Sequence, residues 1–69
     1  MDAVKIELER RKESIAKGLK SMFKENMRVT DFNIPEADDN EAANIIVGIL
    51  QASLDEIKED VAKGKYDYY

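Results

Sequence analysis

The sequence predicts an all-α protein of two long antiparallel helices that pair as a hairpin and dimerise into a four-helix bundle. Two segments carry apolar residues at spacings of three, four and seven, which is the period of an amphipathic helix. A single proline, Pro35, lies between these segments. In the second segment the apolar residues cover more than half of the helix circumference, which is more than one partner helix can bury.

The first helix is predicted over residues 3–26. Asp2 precedes this segment, and a short polar residue at that position caps a helix N-terminus. The apolar side chains fall within about 60° of one another at 100° per residue, so they form one face. They are Val4, Leu8, Ile15, Leu19 and Met22. A face of this kind requires a facing helix to cover it.

The connection is predicted over residues 27–38, a long segment that contains the proline. Pro35 cannot continue a preceding helix, and it favours extended backbone at Ile34. Connections of about a dozen residues are long for helical proteins and often carry function.

The second helix is predicted over residues 39–63. Asp38, followed three residues later by Glu41, forms the pattern of a capping box. Gly64 is expected to end this helix. The whole chain, residues 1–69, is expected to be one domain that ends in an aromatic tail.

The second helix presents two apolar faces. One face would pack against the first helix, and its members are Ala43, Ile46, Leu50, Leu54, Ile57 and Val61. The other points more than about 60° away at 100° per residue. Its members are Ala42, Ile45, Ile49 and Ala52. We expect this second group to be an oligomer interface, because apolar patches left in water favour association. The alternative is that segment 29–34 of the same chain covers it.

The composition narrows the possible functions. The chain has 69 residues and neither cysteine nor histidine. Small domains usually add disulfides, a metal or a partner chain to a modest core, and association is the remaining option here. Nucleotide-binding glycine motifs and nucleophile motifs are absent from the sequence. We therefore expect a non-enzymatic protein without a metal or other cofactor.

Charge is distributed unevenly along the chain. Residues 1–28 hold eight Lys and Arg against five acids, a net charge of +3, whereas residues 29–69 hold three against ten, a net charge of −7. Halves of opposite sign attract one another, either within one chain or between two copies.

The leading hypothesis is a protein-binding module that regulates or inhibits a larger partner. Small size, acidic charge and the lack of active-site residues are typical of small inhibitors, including those encoded by phages. The predicted contact surface combines acids of the second helix with the C-terminal tail, where tyrosines offer rigid contact area. It comprises Asp55, Glu56, Glu59, Tyr66, Asp67, Tyr68 and Tyr69. The alternative for the tail is that it packs on its own helices or simply frays.

A competing hypothesis is nucleic-acid binding by a basic face of the first helix. Arg10, Lys17, Lys24 and Arg28 lie opposite the apolar face, with Lys20 at the edge. Glu9 and Glu13 interrupt this side near its N-terminal end. A short acidic hairpin dimer with one basic face resembles, in architecture, the RNA-binding helical hairpins that control plasmid copy number. That resemblance implies RNA as the ligand. A third hypothesis is a structural subunit of a larger assembly.

The N-terminal sequence shows no secretory signal. Residues 1–5 run directly into charged side chains without an apolar segment. The longest apolar run, residues 45–50, is far shorter than the roughly 20 residues of a membrane span. We therefore expect a cytoplasmic protein.

Overall fold

The computed structural model describes residues 2–69, and within them it contains two helices and no strand. Helix α1 spans Ala3–Asn33 and helix α2 spans Asp39–Ala62. At 1.5 Å per residue they are about 46 Å and 36 Å long. The prediction of an all-helical chain with two long helices is confirmed.

Both helices begin at the predicted aspartates. The Asp2 carboxylate accepts hydrogen bonds from the backbone N–H groups of Val4 and Lys5, at 3.0 and 3.3 Å. Asp38 does the same for Asn40 and Glu41, at 2.9 and 3.4 Å. These bonds satisfy N–H groups that have no partner inside the helix. The reciprocal half of the capping box, from the Asp38 N–H to the Glu41 carboxylate, does not form in the described structure.

The predicted boundary between the first helix and the connection was wrong. α1 continues to Asn33, so the connection is the five residues 34–38 and is not long. Two polar side chains near this end of α1 donate to backbone carbonyls four residues back. Asn26 Nδ2 donates to the Met22 carbonyl at 2.9 Å, and Thr30 Oγ1 donates to the Asn26 carbonyl at 2.7 Å.

Pro35 nevertheless acts as the sequence predicts, because α1 ends two residues before it. Ile34 adopts φ −134° and ψ 80°, which lies outside the helical region that a following proline disfavours. The Ile34 N–H still donates to the Thr30 carbonyl at 2.8 Å, which closes the last turn of α1. The helix therefore stops where the proline forbids further helical backbone, not where the apolar pattern weakens.

The C-terminus of α2 is closed by a glycine motif. Gly64 has a positive φ of 80°, which a residue without Cβ adopts at little cost. The Gly64 N–H donates to the Val61 carbonyl at 3.1 Å, and the Lys65 N–H donates to the Asp60 carbonyl at 3.0 Å. This bond pair defines a Schellman motif, with Gly64 one position beyond the cap. The helix ends one residue earlier than predicted.

The two helices touch mainly next to their connection. Ala42 is the one buried residue of the described chain, with 9% of its surface exposed. Half-buried residues of both helices surround it, and apart from Asp60 all of them lie within residues 23–50. They are Phe23, Met27, Thr30, Ala43, Ile46 and Leu50. We call this set, with Ala42, the seam.

Beyond the seam, the predicted apolar faces of both helices stay exposed. Leu8, Ile15 and Leu19 of α1 each keep about half or more of their surface in solvent, as do Leu54 and Ile57 of α2. Neither helix of the described structure is apolar enough over a sufficient length to cross a membrane. One chain therefore leaves most of its amphipathic surface without a partner.

Candidate interaction surfaces

A groove of about 490 Å³ lies beside the connection, and we call it the connection groove. Residues of both helices and of the connection line it, and the buried Ala42 is one of them. The lining is Asn26, Thr30, Ile34, Ala37, Asp38, Glu41, Ala42, Ile45, Ile46 and Ile49. Three of the four predicted interface residues therefore meet here. The fourth, Ala52, is exposed further along α2.

Ile45 and Ile49 are not covered by their own chain. Their exposed fractions are 56% and 61%, which is high for large apolar residues. Residues 29–33, which the alternative interpretation places over them, are part of α1, and Phe32 is 84% exposed. Ile34 contributes to a wall of the groove without closing it. The alternative that segment 29–34 buries the second apolar face was wrong.

A second depression, of about 600 Å³, lies between the two helices further from the connection. We call it the interhelix cleft. Its walls are the predicted apolar faces of both helices, and its lining is Ile15, Leu19, Lys20, Met22, Phe23, Lys24, Val47, Leu50, Gln51, Ser53, Leu54 and Ile57. The sequence pattern predicted these apolar faces but not the cleft, because helical spacing does not give the distance between two helices.

Two carboxyl groups face each other where α1 ends and α2 begins. The pKa of Asp31 is raised above its ordinary value of 3.8, first by a side-chain hydrogen bond with Asp39 that favours the protonated form. Desolvation and the negative charge of Asp39 raise it further. Because the folded-state pKa is raised, the stability contributed by protonated Asp31 is present below about pH 4 and is lost as the pH rises.

We expect Asp31→Asn to raise the melting temperature at pH 7, because an amide can still donate to Asp39 and carries no charge. The gain should shrink as the pH falls below about 4, because Asp31 is then itself protonated and no longer repels Asp39. Thermal melts from pH 3 to pH 7 measure this. Glu36→Gln is the control, since it removes one charge from the connection without touching Asp39. An equal gain from that control would assign the effect to net charge alone.

Local ion pairs engage the first and last residues of the basic face of α1. Arg10 lies 3.8 Å from Glu7, and Arg28 pairs with Glu25 through two guanidinium nitrogens. Lys17, Lys20 and Lys24 form no ion pair within residues 2–69. Lys20 and Lys24 line the interhelix cleft. The predicted nucleic-acid face thus keeps a central group of three free lysines, two of which face a protein cleft.

The acidic candidates of α2 lie on two sides of the helix. Asp55 and Glu59 are four residues apart and share one side. Asp55 accepts a hydrogen bond from Gln51 Nε2 at 3.0 Å, and Glu59 lies 3.0 Å from Lys63 Nζ. Glu56 is exposed and lies four residues after Ala52, so it continues the second apolar face.

No ion pair joins α1 to α2 in the described chain. Each of the four pairs connects residues three to five positions apart: Arg10 with Glu7, Arg28 with Glu25, Lys63 with Glu59, and Lys65 with Asp60. The opposite charges of the two halves are therefore not used to hold one chain together. Of the two options that the charge distribution allows, direct pairing within the chain does not occur.

The tail folds into turns after Gly64 and does not cover the helices. Tyr66 and Tyr69 place their rings 5.7 Å apart at an angle of 56°. Tyr68 is fully exposed, and Tyr69 is equally so apart from this ring contact. The alternative that the tail packs on its own helices was wrong. The Asp67 N–H bonds the Gly64 carbonyl at 3.1 Å, so the helix-ending motif positions the tail.

Comparison with known proteins identifies no family for this chain. It matches no protein-family model, no curated protein and no solved structure. Within the described residues, no group of three or more acidic side chains is arranged to hold a metal ion. The functional argument therefore depends on the surfaces themselves.

Proposed function

We propose that the chain is a non-enzymatic, cytoplasmic protein-binding module that dimerises through its helices and regulates or inhibits a larger partner, as small phage-encoded inhibitors do. The observation that carries this proposal is the extent of exposed apolar surface. Ile45 and Ile49 lie on one side of α2, and Val47 and Leu54 on the other, all of them more than half exposed. Exposed apolar surface on both sides of a helix favours protein association.

Dimerisation of two antiparallel hairpins into a four-helix bundle is the simplest way to bury these surfaces. Each large aliphatic side chain that becomes fully buried contributes about 1.5–3 kcal/mol. A core as small as the seam supplies only a few kcal/mol in a domain of this size. Burial between two copies would supply what the single chain lacks, and it would use the same faces in both copies.

The partner surface that remains after dimerisation is the far end of α2 with the tail. Asp55 and Glu59 lead along one side of the helix towards Tyr66, Tyr68 and Tyr69. Tyrosines that stand free of the helices combine an apolar ring with a polar tip, which suits an interface. The neighbouring carboxylates favour a basic partner surface, including one that normally binds nucleic-acid phosphates.

Removing residues 66–69 is expected to abolish partner binding while leaving helicity and melting temperature nearly unchanged, because Tyr68 and Tyr69 are fully exposed and the Tyr66 ring packs with that of Tyr69. The measurement is quantitative capture from a host-cell extract by the immobilised dimer, with circular dichroism in parallel. Capture through the acidic side should weaken as salt rises from 50 mM to about 500 mM, since screening increases over that range.

Phe32→Ser is the matched control, because it removes an equally isolated aromatic ring from the other end of the molecule. It should leave capture intact. Proteins that bind the truncated chain and the parent equally would contradict the assignment of the tail. A sharp fall in melting temperature on truncation would instead show that the tail stabilises the fold.

A further inference from the structure

We infer that the interhelix cleft of one copy is filled by α2 of a second copy, docked through the side that begins at Glu41 and ends at Glu56. This assignment rests on the dimer proposed above and specifies how its two chains interlock. Three observations support it: the composition of that side of α2, the composition of the cleft, and the opposite net charges of the two helices, which no ion pair between them neutralises in the described chain.

The docking side of α2 has an apolar centre and an acid at each end. Its members are spaced by four, four, three and four residues, so they align along one side of the helix. They are Glu41, Ile45, Ile49, Ala52 and Glu56, and all five are exposed. We call them the docking stripe. The stripe has a glutamate at both ends, so either direction of the docked helix places a carboxylate at each end of the apolar contact.

The interhelix cleft complements this stripe. Its walls are apolar, formed by side chains such as Leu19, Met22 and Leu54, and it also includes Lys20 and Lys24 of α1. Neither lysine forms an ion pair within the described chain. A helix entering the cleft therefore meets apolar walls along its length, and two lysines that form no ion pair are among the residues that line it.

The net charges of the two helices favour α2 of a second copy, not α1, as the helix that fills the cleft. α1 carries eight Lys and Arg against five acids, whereas α2 carries six acids and one lysine. A second α1 in the cleft would bring further positive charge to Lys20 and Lys24, and like charges at an interface are unfavourable. A second α2 brings negative charge to the same place, and by two-fold symmetry each copy supplies both halves of the contact.

The test is an exchange of charge between two variants. In Lys20→Glu/Lys24→Glu the cleft edge becomes acidic, and in Glu41→Lys/Glu56→Lys the docking stripe becomes basic. Each variant alone should dimerise at least about tenfold more weakly than the parent, because like charges then face each other. An equimolar mixture should recover the parental affinity as a heterodimer, in which both contacts again join opposite charges. Sedimentation equilibrium and native mass spectrometry measure the species formed.

The control for the cleft variant is Arg10→Glu/Lys17→Glu. It makes the same change in net charge on α1, at positions that do not line the cleft. This control should dimerise like the parent and should not rescue Glu41→Lys/Glu56→Lys.

The outcomes separate the two proposals. A parent that is monomeric at all micromolar concentrations would overturn the dimer and this inference together. A dimeric parent whose cleft and stripe variants also dimerise normally would overturn the interlocked arrangement and leave the dimer standing. Rescue by the control variant would likewise overturn it, because the effect would then follow net charge and not position.

Discussion

Ile49→Glu is expected to convert the dimer into a monomer at micromolar concentration. The substitution removes an aliphatic side chain whose burial is worth about 1.5–3 kcal/mol in each copy, and it places a carboxylate among the apolar side chains of the interface. Symmetry doubles the effect, because both copies carry the change. The dissociation constant should therefore rise by about a hundredfold or more. Light scattering across micromolar concentrations measures it, with the parent expected near twice 7.9 kDa.

Ile6→Glu provides the matched control for this experiment. Ile6 is also an exposed isoleucine in a helix, but it lies on α1 away from both the connection groove and the interhelix cleft. Its substitution should leave the dimer intact. An Ile49→Glu variant that stays dimeric and equally stable would show that the second apolar face of α2 is not an interface.

Phe23→Ala should lower the free energy of unfolding by about 2 kcal/mol, the largest effect expected from a single truncation in the seam. Full burial of a phenylalanine makes its loss cost about 3–5 kcal/mol, and Phe23 is half-buried against α2. A chain of this length has only a few kcal/mol of stability from its core, so the loss is a large fraction of the total. Urea unfolding followed by circular dichroism, at one fixed protein concentration, measures it.

Phe32→Ala is the comparison for Phe23→Ala, since it makes the same change on the same helix. Phe32 lies in neither groove and is largely exposed, so its truncation should cost less than about 0.5 kcal/mol. Equal costs for the two substitutions would show that α1 does not pack on α2 through Phe23. The slope of unfolding against urea should stay constant in both variants, because the same surface is exposed.

Local chemistry made much of the secondary structure predictable. Asp2 and Asp38 cap their helices because a short carboxylate can reach N–H groups two and three residues on. Gly64 ends α2 because a positive φ is accessible to it. The error at the end of α1 arose because the prediction ended the helix where the apolar pattern weakens, whereas the backbone stays helical until two residues before Pro35.

The sequence by itself determined two amphipathic helices, their N-terminal caps, the stop before Pro35 and an excess of apolar surface on α2, because each of these depends on residues a few positions apart. Only the tertiary structure decided which apolar residues one chain buries. The contact of α1 with α2 is concentrated near the connection, and an open cleft lined in part by Lys20 and Lys24 lies beyond it. Ile45 and Ile49 stay in solvent beside the connection, because no residue of the described chain covers that side of α2. The helical period gives the direction in which a side chain points from the axis of its helix. The distance between the axes of α1 and α2 depends instead on how the whole seam packs.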